Sequence, residues 1–128
     1  MRLAVGQRFT ARRTFTSVDV EEFARISGDR GSHHVRPDET GRVMIQGLLT
    51  ASVPSKIGGD LNYIARKAEF EFVRPVFTGD TVVAEATVAE IKDSERGLWV
   101  KMTVLCKNQE GKEVLKGSID GLIRDEAT

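Results

Sequence analysis

At 128 residues, 40% apolar and 30% charged, the chain is long enough to bury a core without disulfides or metal clips, and its balance is that of an ordinary globular protein. Nineteen Lys and Arg offset nineteen Asp and Glu. That argues against a nucleic-acid partner, because phosphates call for a basic excess. The single Cys106 allows no internal disulfide and falls among apolar neighbours, as a buried core thiol does.

Met1–Gly6 holds no apolar run of signal-peptide length, and no stretch approaches the roughly 20 apolar residues of a membrane span. Both predict a cytoplasmic protein with no membrane contact. Residues 7–15 read as a short strand carrying Phe9 and Phe15. Thr16-Ser17-Val18-Asp19 has the capping-box pattern, in which a hydroxyl and a carboxylate satisfy orphan backbone donors. Behind it Val20, Phe23 and Ala24 fall at helical spacing, and Gly28 supplies a stop. Residues 29–43 are polar and broken by Gly and Pro, which predicts a loop. From Gly47 to Ile57 the residues are small or apolar nearly all round, with Lys56 the one charge. A helix of that kind has no solvent face and should be buried on most sides, with a kink or irregular turn at Pro54.

After Gly58-Gly59 the period changes to two. Ala68, Phe70 and Phe72 alternate with Glu69 and Glu71; Val82, Ala84, Ala86 and Val88 alternate with residues 83–89 between them. Leu98, Val100, Met102, Val104 and Cys106 repeat the pattern, and a turn at 108–112 leads to a last strand through Leu115, Ile119 and Ile123. One strand, two helical segments and then four strands describe an α+β chain: an antiparallel sheet wrapped round a buried helix, as a single domain over residues 1–128.

The sequence has no Gly-rich phosphate loop, dinucleotide fingerprint, nucleophile elbow or metalloprotease helix motif. Its only histidines are His33 and His34, and Asp29 stands five residues before His34. A carboxylate and an imidazole held in one loop can orient a water and exchange protons with a substrate; the same residues also suit an ordinary polar loop. Adjacent histidines rarely converge on one ion and no Cys lies near, so no metal is expected. At the start of the apolar helix, the backbone N–H groups near Gly47 and Leu48 lack helical partners. They could hold a carbonyl oxygen as it gains negative charge, or Gly47 could simply permit close packing.

The segment Ser27-Gly28-Asp29-Arg30-Gly31-Ser32-His33-His34 resembles the signature loop of the MaoC-like, R-specific enoyl-CoA hydratases, whose pattern is Ser-Gly-Asp-x-Asn-Pro-x-His. Ile45-Gln46-Gly47-Leu48 resembles the family's helix entry, where His-Gly-Met is usual, and Pro75-Val76-Phe77-Thr78-Gly79-Asp80 its Pro-Val-x-x-Gly-Asp turn. The likeness covers about residues 5–125. It implies a hot-dog fold and a lyase of fatty-acid metabolism, with Asp29 and His34 as the acid–base pair and the Gly47 N–H as oxyanion donor. The implied reaction is hydration of a trans-2-enoyl thioester to the (R)-3-hydroxyacyl thioester, or its reverse. The thioester would be carried by coenzyme A or acyl carrier protein, with no cofactor besides. It also implies a homodimer joined at a sheet edge, with acyl sites near the interface. Gly31 and Ser32 stand where the family has Asn and Pro, and Gln46 where it has His.

Two other functions compete. Hot-dog thioesterases commonly carry a carboxylate on the central helix, and none lies between Gly47 and Gly58. A non-catalytic acyl-CoA sensor would need a DNA-binding module, and few residues precede the first strand. Lys56, Arg66 and Lys67 are candidate phosphate contacts or merely a solvated face.

Overall fold

The computed structural model describes residues 2–124. Its elements run β1 (Arg8–Thr14), α1 (Ser17–Ser27), a single helical turn α2 (Ser32–Val35), α3 (Gly47–Asp60), β2 (Tyr63–Phe72), β3 (Thr81–Ser94), β4 (Gly97–Lys107) and β5 (Glu113–Arg124). The five strands form one sheet in the order β1-β3-β4-β5-β2, antiparallel at every pairing. Helix α3 packs on β1, β3 and β2, so the sheet curls round it. This is the hot-dog fold.

Alternation built the long strands as their sequence implied. Val82, Ala84, Ala86 and Val88 on β3, and Val100, Met102, Val104 and Cys106 on β4, are all buried in one core with Leu49, Val53 and Ile57 of α3. Full burial of a Val or Met side chain contributes about 1.5–3 kcal/mol. Burial also pushes the Cys106 thiol up to about 12, as suits a core residue without chemistry. On β5 the alternation slips. The partner of Lys107 is Glu113 while that of Cys106 is Leu115, so Val114 is the extra residue of a bulge, and Val114 and Leu115 are both buried. Ile119 and Ile123 are only half-buried.

Strand β2 departs furthest from expectation. It is an edge strand, exposed along most of its length, and Phe72 is 49% exposed. It lies close on β5: a Cβ at Gly117 would fall 1.9 Å from the Glu69 carbonyl oxygen, so only glycine fits there.

Helix α1 begins as predicted. The Asp19 N–H donates to the Thr16 hydroxyl and the Thr16 N–H to the Asp19 carboxylate at 2.9 Å. Burial works to raise the Asp19 carboxyl, but the Arg13 guanidinium and the Thr16 donors outweigh it and hold the group below the usual range. Gly28, at φ 78°, closes the helix in a left-handed turn.

Helix α3 corrects two expectations. No irregular turn interrupts it at Pro54: it continues as one helix past Gly58-Gly59 to Asp60, and Pro54 is itself buried. Nor is the helix buried on most sides: Leu48 is 64% exposed, and Ser52, Ser55 and Lys56 face outward, because a single sheet covers only one side. Among the described residues no helix is long and apolar enough to cross a membrane.

Candidate active site

The chain between α1 and α3 is anchored by the last residue of α1. The Ser27 hydroxyl donates to the Phe23 carbonyl at 2.7 Å and accepts the Asp29 N–H at 3.0 Å. The Asp29 carboxylate then accepts the Gly31 N–H through Oδ1 at 3.2 Å, tightening the turn that leads into α2. This short helix was not foreseen within the polar segment 29–43. It carries His33 and His34, and it turns His34 inward while His33 stays exposed. The two rings lie 3.8 Å apart between centroids, tilted by 56°. His33 also occupies the space over Gly31: a Cβ there would lie 2.9 Å from the His33 ring. That ring fills part of the volume that any side chain at position 31 would need.

His34 is 7% exposed. Its Nδ1 lies 2.7 Å from the Met44 carbonyl oxygen. A carbonyl can only accept, so Nδ1 carries a hydrogen and the neutral ring keeps its lone pair on Nε2. Nε2 faces Asp29 Oδ2 at 3.6 Å, beyond a direct hydrogen bond but within reach of one shared small group. Met44 is in turn fixed from both sides, by the loop and by the segment around Phe77. Its N–H donates to the His33 carbonyl, it pairs with Phe77, and Ile45 donates to the Val76 carbonyl at 2.8 Å.

Helix α3 enters beside this pair. Leu49 and Thr50 donate to the Gln46 carbonyl, and the Gln46 side chain makes no capping bond. The N–H groups of Gly47 and Leu48 therefore have no acceptor among the described residues. His34, Gly47 and the buried Thr50 line one cleft of about 310 Å³, closed on its other side by Phe72, Arg74 and Val114. Asp29 is not a wall of that cleft and meets it through His34. Above Gly47 lies the Phe72 ring, 3.0 Å from where a Cβ would stand.

The structure thus places His34 beside Asp29 and on one cleft with Gly47, and it leaves other sequence candidates outside. Lys56 pairs with Asp60 at 2.8 Å and Lys67 with Glu69 at 3.3 Å, both on the surface. The helix does carry one carboxylate, Asp60, but at its far end and held by Lys56. Two contributors escaped sequence reasoning: the Met44 carbonyl and the Phe72 ring. A backbone acceptor leaves no trace in residue type.

Residues 3–110 match the family model described as the MaoC like domain. The chain belongs to the MaoC-like family. An (R)-specific enoyl-CoA hydratase of Aeromonas caviae is 29% identical over an alignment of 104 residues that covers 73% of this chain and 76% of that protein. Among solved structures, the (R)-hydratase from A. caviae involved in PHA biosynthesis superposes with a TM-score of 0.84 at 27% identity, covering 94% of this chain and 97% of the other. An unliganded R-hydratase from Pseudomonas aeruginosa also gives 0.84, at 26% identity, over 97% of this MaoC-like chain and 84% of its own.

Proposed function

We propose that this MaoC-like chain is a single-domain hydratase–dehydratase that interconverts a trans-2-enoyl thioester and an (R)-3-hydroxyacyl thioester, with coenzyme A or acyl carrier protein as the carrier. The observation that carries the reading is the orientation of His34. Its Nδ1–H is engaged by Met44, and Nε2 looks towards Asp29 beside the cleft that holds the Gly47 N–H. A water between the Asp29 carboxylate and His34 Nε2 would lose a proton to the pair as its oxygen bonds to C3. The C2–C3 π electrons shift towards the thioester, and the Gly47 N–H stabilises the enolate-like oxygen, with the α3 dipole behind it. The pair then returns a proton to C2. Adding water is redox-neutral, so the reaction needs no cofactor beyond the thioester itself.

The exposed β2 edge, with Ile64 and Phe72 on it, supports a homodimer paired along that strand. Light scattering should then give twice the chain mass at micromolar concentration. The test of the activity is incubation with crotonyl-CoA, following the enoyl absorbance and free thiol together. Loss of absorbance without thiol is the expected result. Thiol release at a matching rate would mean hydrolysis and would overturn the assignment.

A further inference from the structure

Among the described residues Gln46 is the most deeply buried polar side chain, 1% exposed at the start of α3. Its Nε2 donates to the Val20 carbonyl at 3.1 Å and lies 3.5 Å from the Asp29 carbonyl. Two acceptors on one side fix the orientation of the amide, because reversing it would set an oxygen against two oxygens. Its Oε1 then faces away and finds no donor among the described residues. A buried amide oxygen left in that state is unfavourable, so something holds the side chain in a pose that satisfies only its nitrogen.

The position of Gln46 supplies the reason. It is the residue that opens α3. The residues that usually stand there fold back and satisfy the first N–H groups of the helix. Gln46 sends its longer side chain the other way, towards α1 and the loop, and leaves the N–H groups of Gly47 and Leu48 free. We infer that Gln46 is a positioning residue. Its amide tethers the Asp29 backbone to the start of α3, and the same outward turn keeps the Gly47 donor open for a substrate oxygen. One side chain therefore sets the distance between the acid–base pair and the oxyanion donor. This inference rests on the hydratase reading for its effect on turnover but not for the tether itself.

The test is Gln46→Met, which keeps the length and removes the donor. In the full chain it should lower kcat for crotonyl-CoA hydration about 10- to 100-fold, the scale set by small misplacements of a reacting group, with KM changed by less than about threefold. Amide hydrogen exchange over residues 29–34 should quicken. In an Asp29→Asn background the same change should cost less than about threefold, because residues acting as one unit are not additive. An equal factor in both backgrounds would mean a general structural role and would overturn the inference. Should Gln46→Met fail to fold, Gln46→Asn decides. Its amide is one methylene too short to reach Asp29 but suits a helix start, so it should keep thermal stability and lose kcat; a wild-type kcat overturns the tether. If the wild type hydrates no crotonyl-CoA, the hydratase reading falls. Exchange over 29–34 then decides alone, and unchanged exchange in the Gln46 variant sinks the tether.

Discussion

Asp29 and Asp80 each follow a glycine in a short motif, yet their carboxylates lead opposite lives. Asp80 follows Gly79, held at φ 94°. Its Oδ2 accepts the Phe77 N–H at 2.9 Å, its Oδ1 accepts from the Gln109 amide at 2.8 Å, and its carbonyl takes the Phe15 N–H. Every acceptor is engaged by the protein's own donors. The Asp29 carboxylate accepts one such bond, from the Gly31 N–H, and presents Oδ2 to His34 across 3.6 Å with its side chain 49% exposed. A carboxylate saturated by the fold is a structural part; one left half-free beside a buried imidazole is available for chemistry. The two are also connected. The Phe77–Asp80 turn supports the Phe77–Met44 pairing, and the Met44 carbonyl orients His34.

The contrast can be broken most sharply at Asp29. Asp29→Asn should reduce crotonyl-CoA turnover by about 10²- to 10⁴-fold while the thermal unfolding midpoint stays within a few degrees of wild type. A midpoint that collapses with activity would make Asp29 a structural residue like Asp80. Next in size is the donor at Gly47. Gly47→Ala should lose about 10²- to 10³-fold, the scale of a removed oxyanion donor, but its methyl also meets the Phe72 ring. Gly47→Ala with Phe72→Leu separates the two causes. Activity recovered in the double variant would show that crowding by Phe72, not obstruction of the carbonyl, caused the loss.

The opposite pattern is expected at Asp80. Asp80→Ala leaves donors on Phe77 and Gln109 unpaired and should destabilise the fold by about 1–3 kcal/mol, read from denaturant unfolding, with kcat per folded molecule reduced less than about tenfold. A larger catalytic than stability effect would erase the distinction drawn here. The smallest effect belongs to Asp38, in the loop after α2. A hydrogen bond from the Thr40 hydroxyl and another from the Arg42 N–H hold its carboxyl down to about 2 from an ordinary 3.8. A depressed carboxyl stabilises the fold above its ordinary value, and that contribution fades as pH falls towards 2. Asp38→Asn should therefore flatten the acid limb of the stability curve between those values; an unchanged limb would show that the exposed loop contributes nothing.

Much of this was legible in the sequence because it depends on period and on residue type. Alternation located β3 and β4, the Thr16–Asp19 box placed the start of α1, and the resemblance named the family and drew attention to Asp29, His34 and Gly47. What stayed hidden depends on position in space. The polar content of 29–43 concealed the α2 turn that carries His34 inward, since helical propensity across four residues is no signal. The bulge at Val114 shifted the burial of β5 by one residue. The bare composition of α3 suggested burial all round, whereas Leu48 and the Ser52–Lys56 side lie open because one sheet covers one face.

The adjacent histidines give the most direct test. His33 and His34 share a helical turn and a cleft, but only His34 is buried, held by Met44 and aimed at Asp29. Hydration rates of His34→Gln and His33→Gln should be measured side by side on crotonyl-CoA. The account predicts a loss of about 10²- to 10⁴-fold for His34→Gln and a far milder change for His33→Gln. Equal losses, or a larger one at His33, would contradict the assignment of the acid–base pair.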